Sequence, residues 1–271
     1  MSNSDQNPSS KTGAELLQST LDGLLLGPLH YYATLASTNN QAAEWAAAGA
    51  LHLALVVADE QTGGRGRAGR RWYTPPGAAL AFSLVLRLGT PPDPQRLITR
   101  LTALGALAVS DALIASCCQE VEIKWPNDVL VRRRKLCGVL AEAAWQGDQL
   151  REVILGIGVN VSPESVPPDQ ELLFPATCVE NEVGERVERW QLLRKILACL
   201  LDRLENLDSE VFFQDWQARL AFRGEGVQLI GASATLEGQL AGLSLDGALQ
   251  LSLPSGEIIS VYTGDLRLRP R

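Results

Sequence analysis

The chain has 271 residues, 46% of them hydrophobic and 20% charged, which is enough for one large core or a large domain with a small appendage and excludes disorder or collagen-like repeats. With 24 basic against 31 acidic residues the formal charge is -7, so no global attraction to nucleic acid or an anionic membrane is available and any basic site must be local. No apolar run is expected to reach the roughly 18 residues of a membrane span, and the polar start MSNSDQNPSSKTG lacks the pattern of a signal peptide; a cytoplasmic location without membrane partners is expected.

The first dozen residues read as a flexible tail, followed by a short helix in AELLQSTLDGLLL. HYYATL then reads as a strand, Ser37 as the N-cap of a helix TNNQAAEWAAA that Gly49 ends, and LHLALVVAD as the next strand, a β-α-β sequence. Leu80, Phe82, Leu84, Leu86 and Leu88 alternate with smaller residues, which predicts a strand with its large side chains on one face. Leu97, Leu101, Leu104 and Ala108 predict a helix with Pro94 in its first turn and an end near Cys117. VEIKW, VLV, KLCGVLAEAAW and REVILGIGVNV follow at spacings that suit hairpins, so the sheet is mixed or antiparallel and the class α+β. A Pro-rich loop from Ser162 to Pro175 leads to a helix marked by Trp190, Leu193, Leu197, Leu200 and Leu204. From Gly224 short β runs punctuated by glycine predict a small β-barrel, dividing the chain into 1–29, 30–222 and 223–271.

Five cysteines, Cys117, Cys118, Cys137, Cys178 and Cys199, without C-x-x-C spacing, read as free and mostly buried thiols. The two histidines, His30 and His52, sit in strand-like apolar surroundings and leave almost no material for a Cys/His zinc site or a Ser/His/Asp triad.

QTGGRGRAGRRW places Gly64, Gly66 and Gly69 in Gly-x-Gly-x-x-Gly spacing, yet Pro75 and Pro76 follow where a dinucleotide fingerprint needs a helix to begin. Its distinguishing content is Arg65, Arg67, Arg70 and Arg71 among glycines, which suits an anion: glycine lets main-chain N–H groups approach it and arginine offers planar paired donors. A solvated basic loop is the alternative. Lys124, Asn127 and Asp128 of KWPND, then Lys135 and Gly138, gather lysines, an amide and a carboxylate around one hairpin, although a plain Pro-Asn-Asp turn would use the same residues. Gly156 and Gly158 interrupt another apolar strand, with Asn160 beyond.

Together and in this order, STN, GRGRAGRRW, KWPND, KLCGVLAE and GIGVN closely resemble biotin protein ligase, from about Tyr31 to Arg269. The resemblance implies a mixed-sheet catalytic domain of the biotin/lipoate ligase type with a C-terminal SH3-like barrel. It implies an enzyme that joins biotin and ATP, with Mg²⁺, into biotinyl-AMP and passes biotin to a lysine of the biotin carboxyl carrier protein of acetyl-CoA carboxylase. It further implies Arg67 and Lys135 as catalytic residues. Ser37, Thr38, Gln61, Gly64, Arg65, Lys135, Gly138 and Gly156 fall at biotin-binding positions, the glycines admitting the ligand against the backbone. Arg67, Trp72, Asn127 and Asn160 fall at nucleotide-binding positions, Trp72 to stack on adenine unless it is an ordinary packed aromatic. Fewer than forty residues precede Ser37, short of the roughly fifty of a DNA-binding domain, so a ligase without a DNA partner is expected. A homodimer is among the assemblies the resemblance allows, and the metal ligands are left open. Lipoate-protein ligase is the nearest rival, and a nucleic-acid module using the Arg loop and RRRK a more distant one.

Overall fold

Seven strands form a mixed sheet whose two faces are built from different sizes of side chain. The structure is a computed structural model describing residues 13–89, 91–116, 118–168, 174–231, 235–262 and 264–268. The expected tail, Cys117 and part of the 162–175 loop lie outside the described residues. Helix α1 (Gly13–Leu21) buries Leu17 and Leu21 and stops short of the expected Leu26, because Gly23 turns the chain at a φ of +81°. Strand β1 (Leu29–Leu35), helix α2 (Thr38–Ala47) and strand β2 (Leu55–Gln61) make the β-α-β unit, with β1 and β2 parallel. Strand β2 begins four residues later than expected, since Leu53 takes a φ of +61° in a turn and donates its N–H to Val85 O. His52 therefore lies in that turn, not a strand, where Nδ1 accepts from Arg87 N (3.0 Å) and burial lowers its pKa; His30, on β1, stacks on Trp45.

Strand β3 (Ala79–Leu86) departs from the expectation of one covered face: all eight residues are buried. The reason is its central place in the order β1-β2-β3-β7-β6-β5-β4. Leu80, Phe82 and Leu84 join the main core beneath helix α3 (Pro94–Ile114), while Val85 meets Ala42 and Ala46 of α2 on the other face. Pro94 opens α3 and Asp93 caps it by accepting from Arg96 N (3.0 Å). A Cβ on Gly105 would lie 2.9 Å from Val139, so glycine there permits the close seating of α3 on the sheet. Contrary to the expectation that no segment reaches the length, α3 is long and apolar enough for a membrane span, but 67% of that stretch is buried inside the fold.

Strands β4 (Val121–Lys124), β5 (Asp128–Val131), β6 (Arg134–Gln146) and β7 (Gln149–Asn160) are successive antiparallel hairpins, as their spacing predicts. After a short helix α4 (Val179–Val183), helix α5 (Arg189–Glu205) buries Trp190, Leu193, Leu197 and Leu200 against α3. Helix α6 (Glu210–Ala218) was not anticipated, although its signals are present: Ser209 accepts from Phe212 N (3.1 Å), and Phe212 and Trp216 stand one turn apart. Strands β8 (Gly226–Ile230), β9 (Thr235–Leu243), β10 (Leu249–Ser252), β11 (Ile258–Val261) and β12 (Asp265–Leu268) form a separate antiparallel sheet in the order β11-β10-β9-β8-β12. Trp125 ties it to the first sheet by donating Nε1–H to Gly247 O (3.1 Å), and buried Arg100 donates to Leu207 O (2.8 Å) and Leu245 O (3.3 Å).

Candidate active site

Alternation along a strand places Gly156, Gly158 and Asn160 on one face, and the antiparallel register sets Gly138 and Ala81 beside Gly158, Ser83 and Leu140 beside Gly156, and Asp128 beside Gly138. The floor of this face is thus nearly free of side chains. The indole of Trp72 lies on it: a Cβ on Gly138 would come within 3.1 Å of the ring, and one on Gly158 would run into the indole nitrogen. Similarly, a Cβ on Gly156 would occupy the place of the Asn39 amide, and one on Gly64 that of the Trp72 carbonyl. Of the glycines expected to admit a ligand, Gly138 and Gly156 line the cleft and also give room to Trp72 and Asn39, while Gly64 gives room to the Trp72 backbone.

The roof is the arginine loop. Gly66 N donates to Arg70 O (2.7 Å) and Trp72 N to Gly64 O (2.9 Å), with Arg65 bridged to Arg71, so the loop is a small hairpin with a 3₁₀ turn over Arg67–Gly69 and Ala68 in the left-handed region at a φ of +55°. No α-helix begins in this loop, consistent with rejecting a dinucleotide fingerprint. Gln61 fastens its root, accepting at Oε1 from Thr38 N (2.8 Å) and Thr38 Oγ1 (3.1 Å) and donating to Thr74 Oγ1 (3.1 Å).

Lys135 reaches the cleft through an irregularity. In a regular strand it would share the core-facing side of Cys137 and Val139; the register between β5 and β6 instead skips Leu136, pairing Cys137 with Val129 and Lys135 with Leu130. This bulge turns Leu136 and Cys137 into the core and Lys135 onto the cleft face. Its Nζ pairs with Asp128 Oδ1 (2.7 Å) and lies 5.4 Å from the centre of the Trp72 ring. Lys124, buried, stands 3.7 Å from the other Asp128 oxygen. Burial pushes the Asp128 carboxyl up, but the charges of Lys135 and Lys124 and the Lys135 hydrogen bond outweigh it and hold it below the usual carboxylate range. Behind the floor, burial pushes the Cys137 thiol well above its ordinary value, which makes it inert.

Of the anticipated residues, Ser37, Thr38, Gln61, Arg65, Arg67, Trp72, Asn127, Lys135, Gly138 and Gly156 line one cleft. Gly64 packs beneath it. Ser37 occupies the N-cap position of α2 and is buried, yet its hydroxyl makes no capping bond. Asn127 donates Nδ2–H to Val139 O (2.9 Å), fixing the KWPND turn to β6. Asn160 stands apart from the lining, donating to Thr177 O (3.0 Å). Asn39, Ser83, Gly158 and Glu142 went unassigned as site residues. Asn39, Gly158 and Glu142 lie inside the motifs STN, GIGVN and KLCGVLAE, whereas nothing local distinguishes Ser83, which joins the site through register alone. Cys118, Cys137 and Cys178 are free and buried, and Cys199 is half-buried.

A mixed sheet with a glycine floor, an arginine-rich roof and a lysine–aspartate pair makes a cleft of the class suited to an anionic ligand. Residues 32–160 match the biotin/lipoate A/B protein ligase family. The chain is 33% identical over 243 residues to the bifunctional ligase/repressor BirA of Bacillus subtilis, covering 89% of this chain and 74% of that one. It is 32% identical over 248 residues to the biotin–[acetyl-CoA-carboxylase] ligase of Mycobacterium tuberculosis, covering 88% of each. Biotin protein ligase from Aquifex aeolicus, solved in complex with biotin and ATP, superposes with a TM-score of 0.76 at 29% identity, covering 90% of this chain and 99% of that one. The chain belongs to the biotin protein ligase family.

Proposed function

We propose that the chain is an ATP-dependent biotin protein ligase: it condenses biotin with MgATP to biotinyl-AMP and pyrophosphate, then transfers biotin to a lysine of the biotin carboxyl carrier protein of acetyl-CoA carboxylase. The observation that carries this reading is Lys135, turned by the bulge onto a glycine floor and held by Asp128 beneath the arginine loop. In the first step the carboxylate of biotin attacks the α-phosphorus of ATP. Two like charges must approach, and the preset cations Lys135, Arg65 and Arg67 neutralise the repulsion and the charge that develops on the phosphate. Thr38, Gln61 and Ser37 offer polar contacts at the end of the cleft against α2, suited to the ureido ring, while Trp72 provides an aromatic face for adenine. Asn127 fixes the KWPND turn to β6.

In the second step an uncharged lysine amine attacks the anhydride carbonyl and AMP departs, so the enzyme needs no nucleophile of its own. Mg²⁺ enters with the nucleotide: among the described residues no group of three His, Cys, Asp or Glu could cage a metal, and magnesium is commonly held largely by substrate phosphates and water. A cytoplasmic site of action and a separate C-terminal unit over 223–271 belong to the same proposal. Support for that unit comes from its separate sheet.

Incubation with MgATP and labelled biotin should release pyrophosphate and leave a protein-bound adenylate, which a carrier domain then discharges. Failure to form adenylate overturns the reading, and efficient use of lipoate in competition would move the chain to the lipoate branch of the family.

A further inference from the structure

The cleft has a cross-tie that the catalytic scheme does not use. Glu142 stands on β6, on the same face as Gly138 and Leu140. Its Oε2 accepts from two walls at once: from Nδ2 of buried Asn39 on α2 (2.7 Å) and from Nη2 of Arg65 on the arginine loop (2.7 Å). Asn39 is oriented on its other side by Ser83, whose hydroxyl donates to Oδ1 (2.6 Å), so the amide presents only its N–H side to the carboxylate. A polar chain thus runs from Ser83 through Asn39 and Glu142 to Arg65. The tie spans elements 77 residues apart in sequence, Arg65 and Glu142, and among the described residues no backbone bond joins the arginine loop to β6.

We infer that Glu142 is a positioning residue for biotin recognition: it holds the Arg65 guanidinium over the cleft by a charge-assisted bond, so that Arg65 meets the biotin carboxylate already aimed. This rests on the proposed function, in which Arg65 is one of the cations that neutralise the approaching carboxylate and phosphate, and narrows its role to the biotin carboxylate. A half-exposed ion pair contributes little to stability by itself. Its consequence here is geometric, because the same oxygen is anchored to a buried amide and the loop arginine would otherwise sample many rotamers. Arg65 has further donors beside the one given to Glu142, and a planar guanidinium can serve two carboxylates along different edges.

The test is a double-mutant cycle between Glu142→Gln and Arg65→Ala, read in adenylate formation. Glu142→Gln keeps an acceptor for Asn39 but removes the charge that holds Arg65. The expected result is a rise of about tenfold in KM for biotin, with kcat at saturating biotin within about threefold and Tm nearly unchanged. The double variant should be no worse than Arg65→Ala alone, since the effect passes through Arg65. An unchanged biotin KM in Glu142→Gln, or losses that simply add in the double variant, overturns the inference. If Glu142→Gln is not recovered folded, Glu142→Asp carries the same cycle, its shorter arm being unable to reach both partners. Should Arg65→Ala itself leave biotin KM unchanged, the assignment of Arg65 to the carboxylate fails together with the inference; an effect of Arg65→Ala without one of Glu142→Gln removes the inference alone.

Discussion

The two faces of the seven-stranded sheet use the same strands for opposite ends. Along β7, Leu155, Ile157 and Val159 point into the main core beneath α3, while Gly156 and Gly158 on the alternate positions leave a bare floor for Trp72, Asn39 and the cleft. One face is filled by large aliphatic side chains that exclude water; the other carries Val56, Val85 and Ile154 under α2 and, beside them, a patch emptied of side chains where polar and charged groups from distant segments converge. Stability and chemistry are therefore separated by a single residue step, and neighbouring substitutions should fail in different ways.

The largest effect is expected on the cleft face. Lys135→Ala should reduce adenylate formation by roughly a hundred to a thousandfold, the usual consequence of losing one preset electrostatic contact, while the protein stays folded; unchanged pyrophosphate release would show that the lysine does not touch the reaction. Next comes the roof. Arg67→Gly shortens a charged side chain and loosens the loop, and loss of a charged hydrogen bond of roughly 1.5 to 3 kcal/mol corresponds to about ten to a hundredfold faster escape of adenylate. Biotin labelling of bystander lysines on an unrelated protein, relative to the carrier, measures that leak at equal adenylate production, and an unaltered ratio reduces Arg67 to a structural role.

Adjacent positions on β7 then set the faces against each other. Gly158→Ala drives a methyl into the Trp72 indole, a crowding that costs about 1 to 3 kcal/mol; displacement of Trp72 should raise KM for ATP more than KM for biotin. Ile157→Val, one residue away on the core face, should cost about 0.5 to 1.5 kcal/mol in a urea titration and leave both KM values alone. If the two variants share a kinetic phenotype, the division between faces is wrong. The smallest effect is acid sensitivity. Because the Asp128 carboxyl is held below its ordinary value, the ion pair contributes fully above the unfolded carboxylate pKa of about 3.9 and is lost as pH falls through the lower folded value. Asp128→Asn should lack that part of the acid slope when Tm is followed below about pH 4.

The order of elements, the α+β class, the hairpins of β4 to β7 and the core faces of α3 and α5 were legible from local pattern, because apolar periodicity and turn residues act within a few positions of one another. The chemistry-bearing segments were legible too: an arginine–glycine loop in an acidic chain, and a lysine beside an interrupted strand, are unexpected on packing grounds. Their spacing also carried a resemblance that the comparisons bear out. Tertiary structure alone decided the rest. Whether the small residues of β3 faced solvent or a helix depended on its central place in the sheet. Which face Lys135 adopts depended on a bulge that skips Leu136, a pairing between strands that a one-residue slip would reverse. That Gly156 and Gly158 seat Asn39 and Trp72, and that Glu142 joins Asn39 to Arg65, are contacts among residues tens of positions apart, whose closeness no local propensity encodes and only the register of the folded sheet supplies.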